Sequence, residues 1–234
     1  MEYKGIIDRT ILVKVTSRER PDKLIKCILE ALRLAENPYK INWLISLDEN
    51  DALCNNPEFF KTLADTLGQW YIDSLTVVGK SENKIHAINR DLKDYSDHNE
   101  WHILVNLSDD QICKQKGWDQ IIREKMPNDL GSSLWFFDGL QRSINTMEIV
   151  GYNYWMRTEN IYHPSYKSFY CDEEATMVGQ KLRLLIKDTT VLFFHDHPAG
   201  KGNIGLDVLY EKNQRYWDED KMNFNKRRDL NFNV

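Results

Sequence analysis

The stretch Trp101–Asp119, WHILVNLSDDQICKQKGWD, decides the fold. Ile103, Leu104, Val105 and Leu107 form a short apolar run, as a strand buried on both faces does. The run passes directly into Asp109 and Asp110. Open α/β sheets bind ligands beyond the carboxyl ends of their strands. Two carboxylates there offer hard oxygen ligands to Mg²⁺ or Mn²⁺, with a bound diphosphate completing the shell. An Asp pair alone favours a solvated acidic turn, so the rest of the chain has to decide.

Working outward, the same grammar repeats. Thr10–Val15 (TILVKV) is an apolar strand ending in TSRERP, and Pro21 opens an amphipathic helix that Asn37-Pro38 stops. Ile41–Leu47 is a second strand ending in DENDA, so Asp48 and Asp51 stand at a strand edge. Pro57–Leu67 reads as a helix, Leu75–Val78 as a strand closed by Gly79, and Ser81–Leu92 as a helix. After the opening stretch come a helix over Trp118–Lys125, a strand over Leu134–Phe137 and a segment, Met147–Ile161, suited to returning antiparallel. A helix over Asp172–Leu182, a strand over Val191–Phe194 and a charged tail from about Asp207 with a helix over Leu209–Asp220 complete the chain. Strand–helix alternation with short loops predicts an α/β three-layer sandwich, a mostly parallel central sheet flanked by helices, in one domain spanning 1–234. The TSRER, DENDA and SDDQ ends then converge on one rim.

Composition narrows the classes. With 41% hydrophobic and 29% charged residues over 234 positions, the chain has an ordinary globular make-up. A net charge of −5 gives no electrostatic reason to expect nucleic acid. The four cysteines form no CxxC pair and read as reduced structural thiols. No apolar run approaches a membrane span and no signal peptide opens the chain, so a cytoplasmic address is expected.

TSRERP, DENDA, GKSENKIHAIN, NLSDDQ with GWD, GYNYW, FYCDEEA and FFHDHP follow one another in the order found in GT-A glycosyltransferases. The chain resembles that fold from about Ile11 to His197, closest in pattern to the large family 2 of inverting, nucleotide-sugar-dependent enzymes. The resemblance implies transfer from a nucleoside diphospho-sugar to a carbohydrate or other hydroxyl acceptor, with Mn²⁺ or Mg²⁺ as cofactor. It implies Thr16, Ser17 and Arg18 along the nucleotide, Asp48 or Asp51 at the base edge, and Lys84 near base or phosphates. Asp109 and Asp110 take the Asp-x-Asp part, a departure because a strict motif ending at Asp110 needs Asp where Ser108 stands. His195 or His197 becomes a further metal ligand, and Asp172 or Glu173 the catalytic base.

The chemistry suits these residue types. A departing diphosphate builds negative charge that a divalent cation neutralises, and a poor hydroxyl nucleophile needs a carboxylate to take its proton. Aromatics from Tyr152 to Tyr170 offer flat faces for an acceptor sugar. Among the acids, Asp172 fits the family spacing first and Glu173 second, although Asp172 also stands where an N-cap would fall. Three rival readings remain. A sugar nucleotidyltransferase wants a glycine-rich loop after the first strand, where VKVTSRERP has no glycine. A metal hydrolase on HDH with the Asp pair leaves TSRERP and DENDA unexplained. A degenerate carbohydrate-binding relative is suggested by Ser108.

Overall fold

The computed structural model describes residues 8–68, 74–197 and 208–234. In chain order the strands are β1 (Ile11–Ser17), β2 (Ile41–Asp48), β3 (Ser74–Gly79), β4 (Ile103–Ser108), β5 (Gln111–Cys113), β6 (Ser133–Phe136), β7 (Ile149–Gly151), β8 (Leu185–Asp188) and β9 (Phe193–His195). The helices are α1 (Pro21–Leu34), α2 (Pro57–Leu67), α3 (Lys84–Asn89), α4 (Leu92–His98), α5 (Trp118–Lys125), α6 (Tyr152–Trp155), α7 (Cys171–Lys181), α8 (Val208–Gln214) and α9 (Trp217–Asp229).

Seven strands form the central sheet in the order β3-β2-β1-β4-β7-β6-β8. β1 pairs parallel with β2 and β4, β2 with β3, and β6 with β8, while β7 alone runs antiparallel, between β4 and β6. Strand alternation divides the core. Ile11, Val13 and Val15 face one layer with α1, α2 and α5. Leu12, Leu44 and Leu104 face the other with α3, α4 and α9. The α/β three-layer sandwich expected from the sequence is the observed fold.

Chain order reverses at β1, which sends the chain to β2 and β3 on one side and has β4 on the other. Register brings the ends level: Thr16 lies beside both Ser46 and Ser108, Ser17 beside Leu47, and Asp48 beside Gly79. Such a switch point opens a crevice at the carboxyl ends, and there TSRER, DENDA and SDDQ meet.

Four details differ from the sequence reading. The helix expected over Ser81–Leu92 breaks into α3 and α4 at Asp91, whose φ is 72°. The cause lies below it: buried Lys14 donates to Ser46 Oγ and to the Arg90 carbonyl (2.8 Å), and the Asp91 carboxylate accepts from Ser46 and Arg90. β8, which the sequence did not suggest, follows α7 after a three-residue connection in which Arg183 adopts φ 58°. The last apolar strand, β9, does not join the main sheet; it pairs antiparallel with β5. The charged tail is two helices, and Phe224 and Phe232 bury into the second core layer. Pro198 of the FFHDHP motif and the start of the tail lie outside the described residues.

Candidate functional site

The β1–α1 turn fixes the first wall. Ser17 Oγ donates to Asp109 Oδ2 (2.7 Å), and Arg18 reaches Asp48 Oδ2 (2.8 Å). Arg20 Nη1 lies 3.1 Å from Asp109 Oδ1 and 3.9 Å from Asp110 Oδ2. Glu19 adopts φ 58°, a conformation uncommon for a residue with a Cβ. Its N–H donates to Asp51 Oδ2 (2.7 Å), while Asp51 Oδ1 accepts from the N–H groups of Leu53 and Cys54 (3.0 and 3.2 Å). Asp51 is thus buried under the turn, outside the cavity lining, and organises backbone.

The two central acids have different surroundings. Asp109 is tied by Ser17 and Arg20; burial first and Asp110 next raise its pKa, and those two partners oppose the rise. Asp110 faces His195, with Nε2 3.7 Å from Oδ1. Pairing of β5 with β9 sets Gln111 opposite His195, and the Asp196 N–H donates to the Asp110 carbonyl (2.7 Å). His195 Nδ1 lies 3.3 Å from Asp138 Oδ2 on its other side. Burial alone would depress the imidazole, but the two carboxylates hold it up to about 9. Burial would raise Asp138, yet hydrogen bonds from His195, the Gln141 and Leu140 N–H groups and Thr146 hold it at about 2. The His197 ring meets His195 edge-on at 5.2 Å, and burial together with the neighbouring imidazole lowers its pKa.

The opposite wall is the start of α7. Tyr170 at φ 63° is its N-cap, so Cys171 is the first helical residue and Asp172 the second. Asp172 is therefore not the cap. Its Oδ1 accepts from the Glu173 N–H (2.9 Å); burial raises its pKa and nearby Lys84 opposes the rise. Glu173 is raised by burial and by the Asp172 charge. Glu174 turns away, held by Tyr166 Oη (2.7 Å) and bidentately by Arg227 (2.7 Å each). Behind Asp172, Thr176 Oγ1 donates to its carbonyl (2.7 Å) and accepts from the Asn145 N–H (2.8 Å); the Asn145 amide in turn donates to buried Glu148 (3.0 Å).

Between these walls lies a cavity of about 740 Å³, within the usual range for small-molecule sites. Thr16, Ser17, Arg18, Asp48, Lys84, Asp109, Asp110, Asp172, Glu173, His195 and His197 all line it. Of the aromatics read as an acceptor platform, Tyr152, Tyr154, Trp155, Tyr162 and Tyr166 belong to the second core layer, whereas Phe169 and Tyr170 reach the cavity. Sequence reasoning passed over Arg20's grip on Asp109, Asp138 behind His195, and Lys212, Asn213, Arg215, Tyr216 and Trp217 from the C-terminal helices. Asp138 carried the signal that marked Asp48, an acid just past an apolar strand. The C-terminal residues carried none.

Among the described residues, no group of three or more His, Cys, Asp or Glu side chains is close enough to hold an ion by itself. Asp110 supplies a carboxylate oxygen and His195, once an ion displaces its Nε2 proton, an imidazole nitrogen, a set that suits Mn²⁺ better than Mg²⁺. They fit part of a shell that phosphate oxygens of a ligand would complete.

No family model and no curated protein matches this sequence. Solved structures do. A mannosyltransferase from Pyrobaculum calidifontis, PcManGT, in complex with GDP-Man and Mn²⁺, superposes with a TM-score of 0.61 at 11% identity over 81% of this chain and 57% of its own. S. aureus TarS superposes at 0.59 with 12% identity over 80% of this chain and 37% of its own. TarS 1–349 in complex with UDP-GlcNAc gives 0.56, 11%, 79% and 58%. The chain spans less than two thirds of each. Among the described residues, no helix is long and apolar enough to cross a membrane.

Proposed function

The chain has a GT-A-like glycosyltransferase fold, and we propose that it transfers a sugar from a nucleoside diphospho-sugar to a hydroxyl acceptor, with a divalent metal and inversion at the anomeric carbon. One observation carries the reading: Asp110 and His195 stand together at the carboxyl end of β4, in the same cavity as Lys84 and Asp172. Both structural neighbours named in complexes bind nucleotide sugars, and one holds Mn²⁺.

Each residue has work in this reading. Thr16, Ser17, Arg18 and Asp48 line the nucleoside. Asp110 and His195 would hold Mn²⁺ or Mg²⁺, which supplies charge neutralisation for the diphosphate. Asp109, held by Ser17 and Arg20, fixes the turn that aims Asp110. Lys84 adds positive charge near the phosphates. Asp172 takes the acceptor proton as the hydroxyl attacks, and burial raises its basicity toward working pH. Asn145 and Thr176 hold the turn that carries it. One base and direct displacement invert the centre, with Glu173 the second candidate.

Titration calorimetry with UDP and GDP, in Mn²⁺ and in EDTA, tests this. Binding in Mn²⁺ that EDTA weakens is the expected result. Equal affinity in both removes the metal, and no binding of either nucleotide removes the donor site. At 100 times the dissociation constant the bound nucleotide adds about 2.7 kcal/mol of stability, so thermal unfolding reads the same event.

A further inference from the structure

The proposed metal ligand His195 and the proposed base Asp172 come from different elements, β9 and α7. One short segment, residues 145–148, reaches the supports of both. The Asn145 N–H donates to Thr176 Oγ1 (2.8 Å), whose hydroxyl donates to the Asp172 carbonyl (2.7 Å). The next residue, Thr146, donates its hydroxyl to Asp138 Oδ2 (2.7 Å), the oxygen that lies 3.3 Å from His195 Nδ1. Asp138 Oδ1 accepts from the N–H groups of Leu140 and Gln141 (2.8 and 2.7 Å). Two arms thus leave adjacent residues, one toward α7 and one toward β9.

Glu148 ties this segment down. Its carboxyl accepts from Ser133 Oγ on β6 (2.8 Å) and from the Asn145 amide (3.0 Å). Its carbonyl accepts from the Asn106 N–H (2.9 Å) on β4, the strand that leads into Asp109 and Asp110. Ser133, Asn145, Glu148 and Thr176 are each 2% exposed or less. Burial pushes the Glu148 pKa up to about 7, the Ser133 and Asn145 hydrogen bonds opposing and the Asp172 charge adding. A buried carboxyl costs free energy that an apolar side chain does not. What it adds is direction, through two hydrogen bonds, one of them to the residue that starts the α7 arm. We propose that Glu148 is a positioning residue: it holds Asn145 and Thr146, and through them sets where Asp172 and His195 stand relative to each other. Such placement matters because a misplacement of about 1 Å costs about 10²-fold in rate. The anchoring rests on these contacts alone; its use in catalysis rests on the glycosyl-transfer reading.

Amide hydrogen exchange on the full, metal-free chain tests the anchoring, because each arm has its own reporter. The Asn145 N–H reports the α7 arm, and the Leu140 and Gln141 N–H groups report the Asp138 arm. Glu148→Leu fills the space without the hydrogen bonds and should speed exchange at all three by about tenfold, as loss of a buried partner does. Amides of β1 and β2 should keep wild-type rates. Glu148→Gln should match wild type, since a carboxamide accepts from Asn145 and donates to Ser133 Oγ. Ser133→Ala, a milder cut into the same anchor, should speed the same three amides less, and it decides the matter if Glu148→Leu does not fold. In calorimetry with UDP or GDP, the loosened variant should lose about tenfold in Mn²⁺ and nothing in EDTA, as changes behind a metal ligand do. Unchanged exchange, loosening of one arm only, failure of Glu148→Gln to restore both arms, or unchanged affinity in Mn²⁺ would overturn the proposal. Loosening of both arms in a chain whose wild type binds neither nucleotide would keep the anchor and sink the glycosyl-transfer reading instead.

Discussion

The two halves of the cavity are built by different means. On the side proposed for the nucleotide, Thr16, Ser17 and Asp48 end strands and Asp110 comes just after one, and ladder register locks those strands, so position along the sequence nearly fixes position in space. On the opposite side, Tyr170, Asp172 and Trp217 meet through side-chain contacts and the three N–H groups gathered by Asp220. The first half inherits its geometry from the sheet. The second depends on a few packed and hydrogen-bonded groups, so single substitutions should move it further.

The largest effect is expected at the proposed base. Asp172→Asn should lower kcat by about 10²–10⁴ and leave nucleotide affinity nearly unchanged, measured by steady-state kinetics beside calorimetry. If Glu173→Gln does this instead, the base is one residue on; if neither does, α7 contributes only a wall.

Next, Asp110→Asn should abolish the EDTA-sensitive part of nucleotide binding. Asp109→Asn should keep that sensitivity, because Asp109 is already engaged by Ser17 and Arg20. Identical behaviour of the two variants would dissolve the distinction between them.

Removing the Asp220 carboxylate should loosen the second half selectively. Asp220→Ala leaves three backbone donors without their acceptor and should destabilise the chain by about 1–3 kcal/mol in urea unfolding. UDP or GDP binding should hold. A variant as stable as wild type would show that the loop before α7 does not need this anchor.

The last effect, absent at neutral pH, concerns Lys14, buried beneath the side proposed for the nucleotide. Burial first, with Asp91 opposing, brings its pKa down to about 7 from 10.5. Between about pH 7 and 10.5 the unfolded chain then holds the proton that the folded chain has released. Stability from this group therefore rises with pH across that window. Lys14→Met should remove this rise, seen as the difference between the two stability–pH curves; parallel curves would contradict it. The difference also cancels the buried cysteines, whose thiols are pushed up by burial and act in the opposite direction.

Legibility follows the same division. β1, β2, β4 and the helices α1, α2 and α5 were readable because alternating or continuous apolar runs end at Pro, Gly or acidic turns. The motifs at their ends placed six site residues along one cavity, and the motifs at α3, α7 and β9 five more. Asp48 and Asp51 stand as alternatives at the base edge in the sequence because a loop carboxylate and a buried turn anchor look alike until the Glu19, Leu53 and Cys54 N–H groups are seen around Asp51. The break at Asp91 was hidden because it answers to Lys14, 77 positions earlier in the chain. Trp217 was hidden for a similar reason: its partners are Phe169 and Tyr170, and no periodicity links residues so far apart.

One contact joins the two halves directly. Lys212 of α8 reaches both carboxylate oxygens of Glu19 (3.1 Å each), tying the C-terminal arm to the β1–α1 turn. Both side chains are substantially open to solvent, so the attraction is weak and shrinks as salt shortens the screening length. This makes a latch that ionic strength sets. On the reading proposed above, exchange of nucleotide in and out of the cleft should quicken in concentrated salt.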